Sequence, residues 1–136
     1  RTTPDARRLN FADPAEWAGQ EMLVPCFRVR ERGTTGAGDR TLAGFLAAWR
    51  EGLPPAASLT LAVAVGASSV ESADPLSDLP SLSKIRARIQ AGWPRRSWRP
   101  KQPGWRWNAQ SSAWIGPADK ECRPRNQKRK KEITPC

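Results

Sequence analysis

Histidine is missing altogether from this chain. Without an imidazole, the Ser-His and Cys-His pairs that activate nucleophiles cannot be built, and His-ligated metal sites are excluded as well. Cysteine is scarce: Cys26, Cys122 and Cys136 are an odd number with no Cys-x-x-Cys spacing. This argues against a disulfide framework and against a zinc site, and fits a reducing, cytoplasmic compartment. No apolar run reaches the roughly 20 residues of a membrane-spanning helix. The longest, Leu59-Thr-Leu-Ala-Val-Ala-Val-Gly-Ala67, is short and rich in small side chains. Arg1-Thr-Thr-Pro-Asp-Ala-Arg-Arg8 lacks the apolar stretch of a signal peptide and does not begin with Met, so the chain reads as cut from something longer. Any acid–base chemistry falls to Asp, Glu, Lys or Arg.

What is abundant is positive charge at one end. In Pro94–Cys136, 12 Lys and Arg stand against 3 acids, whereas residues 1–93 hold 11 basic and 10 acidic side chains. The body is near neutral and the basicity belongs to the tail. At 136 residues the chain suffices for one ordinary domain and an extension, divided at residues 1–93 and 94–136.

Along the body, Pro4 and Pro14 interrupt a polar start, with a turn or two of helix expected within Ala15–Met22. Leu23-Val-Pro-Cys-Phe-Arg-Val29 alternates and reads as a short strand near an edge, because Pro25 cannot donate to a ladder. Within it, Cys26 is expected to be a small buried hydrophobe beside Phe27. After a loop at Gly33–Gly38, Leu42, Phe45, Leu46 and Trp49 fall at helical spacing and predict a helix from Asp39 with that stripe in the core. Gly52 and Pro54-Pro55 stop it. A second helix from Ala56 to Val70 repeats Leu59, Ala62, Val63, Gly66, Ala67 and Val70, small residues suited to close packing. Asp74 and Asp78 read as solvated loop charges. Ser81 caps a third helix carrying Leu82, Ile85 and Ile89, closed by Gly92. One short strand cannot make a sheet, so either partner strands lie upstream of Arg1 or the piece folds poorly alone.

The chemistry concentrates in Arg32-Gly-Thr-Thr-Gly-Ala-Gly-Asp-Arg-Thr-Leu-Ala-Gly-Phe45. Two readings fit three small residues before an acid at a helix start. Asp39 caps the helix and the glycines turn the chain; or the backbone N–H groups there hold a phosphate while Asp39 acts on the attacking group.

Gly33-Thr-Thr-Gly-Ala-Gly-Asp39 followed by Ala43-Gly-Phe-Leu46 closely resembles the C-terminal signature of the PfkB/ribokinase family of carbohydrate kinases. Pro25-Cys-Phe-Arg-Val29, Gly52-Leu-Pro-Pro-Ala-Ala-Ser-Leu59, Ala62-Val-Ala-Val-Gly-Ala-Ser-Ser-Val70 and Leu79-Pro-Ser-Leu82 follow in family order, so the resemblance spans about residues 20–93. It implies an α/β fold: the C-terminal part of a ribokinase-like three-layer αβα (Rossmann-like) architecture, here with an irregular basic Trp-rich tail. It implies that Gly36, Ala37 and Gly38 form an anion hole for the phosphoryl group in transit, and that Asp39 is the base taking the proton of a sugar hydroxyl. Thr34, Thr35, Val63, Gly66 and Ala67 would lie beside ATP. Elementary physics agrees: glycine lets backbone approach a phosphate, and the helix points its positive end at it.

Some positions depart from the family. Many members carry Asp where this chain has Gly33, a carboxylate that helps bind a monovalent cation, so activation by such a cation is in doubt here. Arg40 is bulky where smaller residues are common; it either pairs with Asp39 or points outward. The Mg2+-linked Asn-x-x-Glu motif is absent, since Asn10, Asn108 and Asn126 lack Glu at that spacing. Mg2+ ligands and the sugar pocket are therefore expected in the part of the fold that precedes this segment.

In the tail, Trp93, Trp98, Trp105, Trp107 and Trp114 interleave with Arg95, Arg96, Arg99, Lys101 and Arg106. Such interleaving suits single-stranded nucleic acid, but Gly104-Trp-Arg-Trp107 and Ala113-Trp-Ile-Gly-Pro-Ala-Asp119 look like tryptophans packing a C-terminal extension onto a domain, which is the favoured reading. Arg123–Cys136 is almost free of apolar residues and is expected to be disordered. The leading expectation is an ATP-dependent sugar kinase, with ATP and a sugar as partners, no membrane, and a homodimer among the assemblies it allows. Nucleic acid would then bind only non-specifically through the tail. The alternative is a non-catalytic basic binding protein on a remnant kinase scaffold.

Overall fold

The computed structural model describes residues 12–74 and 79–120. Its elements are α1 (Pro14–Trp17), β1 (Met22–Leu23), α2 (Ala37–Arg50), α3 (Pro55–Val70), α4 (Leu82–Gln90), β2 (Arg106–Asn108) and β3 (Ala113–Ile115). The three expected helices are present, and local chemistry sets their ends. At the close of α2, Gly52 adopts φ 77°; its N–H donates to the Trp49 carbonyl at 3.0 Å and the Leu53 N–H to that of Ala48 at 3.1 Å. The same two-bond closure ends α4 at Gly92 (φ 89°), with Trp93 N–H reaching the Arg88 carbonyl. Ser81 caps α4 as expected, its side chain accepting from Lys84 N–H.

The core lies around α3, most of whose residues are buried. Phe27, Ala48, Leu61, Ala64, Val65, Ala67, Ile85 and Trp93 form one apolar cluster. The α2–α3 contact is close because small residues meet there. A Cβ at Gly44 would come within 2.9 Å of Val65, and one at Gly66 would collide with the Thr41 hydroxyl.

That contact corrects the stripe. Leu42, Leu46 and Trp49 are 57, 49 and 38% exposed, and Phe45 is half-buried with its ring edge-on to Trp17 at 5.6 Å. The buried line on α2 is instead Gly44 and Ala48. Two helices this close have room between them only for small side chains, so the large ones face outward. Cys26 is corrected as well: it is exposed. The extended segment alternates, burying Pro25 and Phe27 and turning Cys26 out.

The expected strand Leu23–Val29 is shorter than its alternation suggests. β1 covers two residues, and beyond Pro25 only an isolated bridge, Phe27 with Arg95, continues the pairing. Proline's missing N–H accounts for the break. Among the described residues the partner of β1 comes from the extension. β3 pairs antiparallel with β1 (Leu23 opposite Trp114) and with β2 (Trp107 opposite Trp114), giving the order β1-β3-β2. The tail is thus not irregular throughout. Asn108 turns the hairpin, its Oδ1 accepting from Gln110 and Ser111 N–H. Buried Asp119 accepts from Glu21 N–H at 2.8 Å, and the Glu21 carboxylate accepts from Ala118 N–H at 2.6 Å, fastening the hairpin to the start of the domain.

Among the described residues, no helix is long and apolar enough to cross a membrane. Cys122, Cys136, Asp78, Asn10, Asn126 and the stretch Arg123–Cys136 lie outside them. Asp74 is exposed, in a turn with Ser72.

Candidate functional site

The first turn of α2 is where the site begins. Gly36, at φ 74°, occupies the left-handed conformation immediately before the helix, a position that favours glycine. Of the first backbone N–H groups, Ala37 donates to the Thr34 carbonyl and Arg40 to that of Gly36. A Cβ added at Gly38 would meet nothing within 4 Å, so the space over that residue is open. A left-handed glycine leading into a helix N-terminus makes a concavity of N–H dipoles suited to an anion.

Asp39 is the third residue of α2 and exposed. It does not cap the helix: the N-cap is Gly36, with no side-chain capping bond. Its carboxylate instead sits in the first turn, where the helix dipole favours negative charge. Arg40 is half-buried and forms no ion pair with Asp39; the ion pairs among the described residues are Arg86–Glu51, Arg88–Glu71 and Arg96–Glu31. At Gly33, a Cβ would lie 3.2 Å from the Ser72 carbonyl oxygen, which leaves little room for a side chain.

Beside this turn is a partly open, largely apolar cavity of about 560 Å³, a size that suits a nucleotide-sized ligand. Ala37, Gly38, Val63, Gly66 and Ala67 all line it. Five residues singled out from sequence, from two separate stretches, thus share one wall. Gly36 and Asp39 adjoin that wall without lining it, and Thr34 and Thr35 are exposed in the loop before the helix.

Sequence reasoning missed the opposite wall. Pro25, Phe27 and Val29 line it from the strand segment, with Arg96 and Trp98 from the extension. Arg95 anchors that extension. Its guanidinium lies 4.4 Å over the Phe27 ring and donates to the Pro25 carbonyl (2.9 Å) and to Thr60 Oγ1 (3.1 Å). Burial pulls its pKa below the usual arginine value, and the nearby Cys26 opposes that shift. Trp93 stacks on Phe27 at 4.5 Å, and its indole N–H donates to the Arg28 carbonyl. Arg88 caps that stack from 3.6 Å; the Glu71 carboxylate it grips raises its pKa. The available signal was the repeated Trp and Arg of 93–98, which packs the extension onto the domain.

A family profile described as pfkB family carbohydrate kinase matches residues 12–82. The chain belongs to this family. The match covers more than half of the sequence and takes in α2, α3, the glycine turn and one wall of the cavity. It lies in the first part of the chain and ends at the first residue of α4, so Arg96, Trp98 and the β2–β3 hairpin fall beyond it. Neither the curated proteins nor the solved structures gave a match.

Proposed function

We propose that this chain carries the catalytic base and the nucleotide wall of an ATP-dependent sugar kinase of three-layer ribokinase architecture. The observation that carries the reading is the convergence of Ala37, Gly38, Val63, Gly66 and Ala67 on one cavity beside the first turn of α2. In this reading ATP lies in the cavity with its phosphates towards Gly36, Ala37 and Gly38. Asp39 takes the proton of a sugar hydroxyl as that oxygen attacks the γ-phosphorus. The bond from the γ-phosphorus to the bridging oxygen breaks, and ADP leaves with the electron pair. The N–H groups of the turn offset the charge on the transferring group.

Phosphoryl transfer uses Mg2+ to neutralise phosphate charge. Among the described residues no three His, Cys, Asp or Glu side chains come together as a metal site. We assign the metal ligands and the sugar pocket to a part of the domain that covers the apolar side of α2, where Leu42, Leu46 and Trp49 are exposed.

Asp39→Asn in the complete kinase tests the assignment. Asparagine keeps size and most hydrogen bonding but cannot accept the proton, so kcat should fall about 10²–10⁴-fold with nucleotide affinity little changed. Retention of more than about a tenth of the wild-type kcat would remove Asp39 from the base role.

A further inference from the structure

Two residues that line the cavity, Arg96 and Trp98, lie beyond the family match. Residues 94–98 run antiparallel to residues 26–28: Arg28 N–H donates to the Pro94 carbonyl at 2.8 Å, and Arg96 N–H to that of Cys26 at 2.7 Å. In an extended strap, alternate side chains fall on opposite faces. Arg95 is directed to Phe27 and Thr60, whereas Arg96 and Trp98 lie on the cavity side. Trp98 is held there by the hairpin, because Trp114 Nε1 donates to its carbonyl at 3.0 Å. Trp98 is nonetheless 51% exposed, a large aromatic residue at the edge of an apolar cavity. Arg96 at the same edge is tied to Glu31, another lining residue, at 3.2 Å.

From this placement we infer that the extension beyond the family match completes the nucleotide site, with Trp98 stacking on the base and the Arg96–Glu31 pair fixing the rim. The inference rests on reading the cavity as the nucleotide site. The occupant must be flat, largely apolar and tolerant of one wet edge, because an indole face and aliphatic side chains surround it and the mouth is open. A nucleobase meets those demands, whereas the lining, in which Glu31, Thr41 and Arg96 are the main polar side chains, offers few partners for the several hydroxyls of a sugar. Stacking on an exposed tryptophan needs no base-specific hydrogen bond, so discrimination among bases should be weak.

Titrations of the full 136-residue chain with adenosine, ATP and tripolyphosphate, followed by NMR of the indole N–H signals, test the inference. Trp98→Ala should weaken adenosine and ATP about tenfold or more, the usual loss when a stacking aromatic is truncated. Trp98→Phe should recover most of it, and tripolyphosphate should be indifferent to both changes. Trp49→Ala, an exposed tryptophan on α2 that does not line the cavity, is the control and should bind as wild type. Unchanged melting temperatures would exclude misfolding as the cause. If Trp98→Ala binds adenosine as tightly as wild type, the stacking role is wrong while the nucleotide reading stands. If the wild-type chain binds neither adenosine nor ATP, the nucleotide reading itself fails and takes this inference with it.

Discussion

Gly66→Ala is the most direct probe of how the site is held together. In an ordinary exposed helix the change would stabilise by about 1 kcal/mol, because alanine is the better helix former. Here the added methyl would collide with Thr41 Oγ1, on the second turn of α2, with Thr41 Cβ behind it at 3.3 Å. Thr41 cannot give way freely, since its hydroxyl donates to the Ala37 carbonyl at 2.8 Å. Turning it aside loses a bond of about 1 kcal/mol, and pushing the helices apart costs the 1–3 kcal/mol typical of overpacking. The balance is a net destabilisation of about 1–2 kcal/mol, or a drop in Tm of roughly 3–10 °C. Thr41→Ala in the same chain removes the hydroxyl and should return the double variant close to wild type. Calorimetry of the four proteins reads both effects. A Gly66→Ala chain that melts at or above the wild type would refute the close approach of α2 and α3, and with it the wall that Gly66 helps to form.

Two further outcomes follow from the corrected burial. Leu46→Ala should cost well under 1 kcal/mol in denaturant unfolding of this chain, against the 2–5 kcal/mol of a buried leucine; a loss in the larger range would mean that the stripe is already covered. Cys26 is exposed and lines the cavity, so in a Cys122→Ser/Cys136→Ser background its alkylation by a maleimide should slow when adenosine is bound. Equal rates with and without ligand, measured by mass spectrometry, would put the ligand elsewhere.

The helices were legible because their boundaries are local chemistry. Gly36, Gly52 and Gly92 take positive φ, Ser81 supplies a cap, and each acts within a few residues of the end it sets. Which side of α2 faces the core was not legible. A helical stripe shows where the large apolar residues lie, but here packing follows the small ones, Gly44 and Ala48, which share a helix face four residues apart. The sheet was hidden for another reason. β1 finds its partner more than ninety residues away, and strands of two and three residues carry too little alternation to announce a pairing. The cavity was half legible. Its α2–α3 wall follows the order of the family, whereas Arg96 and Trp98 sit in a tail whose charge drew attention to nucleic acid, and the Phe27–Arg95 bridge that carries them in is a long-range contact.

Asp39, Leu42, Ala43 and Leu46 occupy positions i, i+3, i+4 and i+7 of α2, so they share one helix face, and all four are exposed. The proposed base therefore stands at the head of an uncovered apolar stripe. A carboxylate facing water is a poor partner for a sugar hydroxyl: solvent competes for it, and nothing fixes the hydroxyl in line with the phosphorus. Whatever covers Leu42 and Leu46 would also enclose Asp39, bringing the acceptor and excluding water in one step. The cavity proposed for the nucleotide, in contrast, is lined by residues this chain supplies, from the segment 23–31, α2, α3 and the extension. The two halves of the reaction should separate accordingly. The 136-residue chain should bind adenosine yet transfer negligible phosphate from ATP to any sugar, by a coupled ADP-release assay in the presence of Mg2+. Vigorous sugar-dependent ADP release by this chain alone would overturn the separation, because Asp39 would then be working on an acceptor held by residues already present.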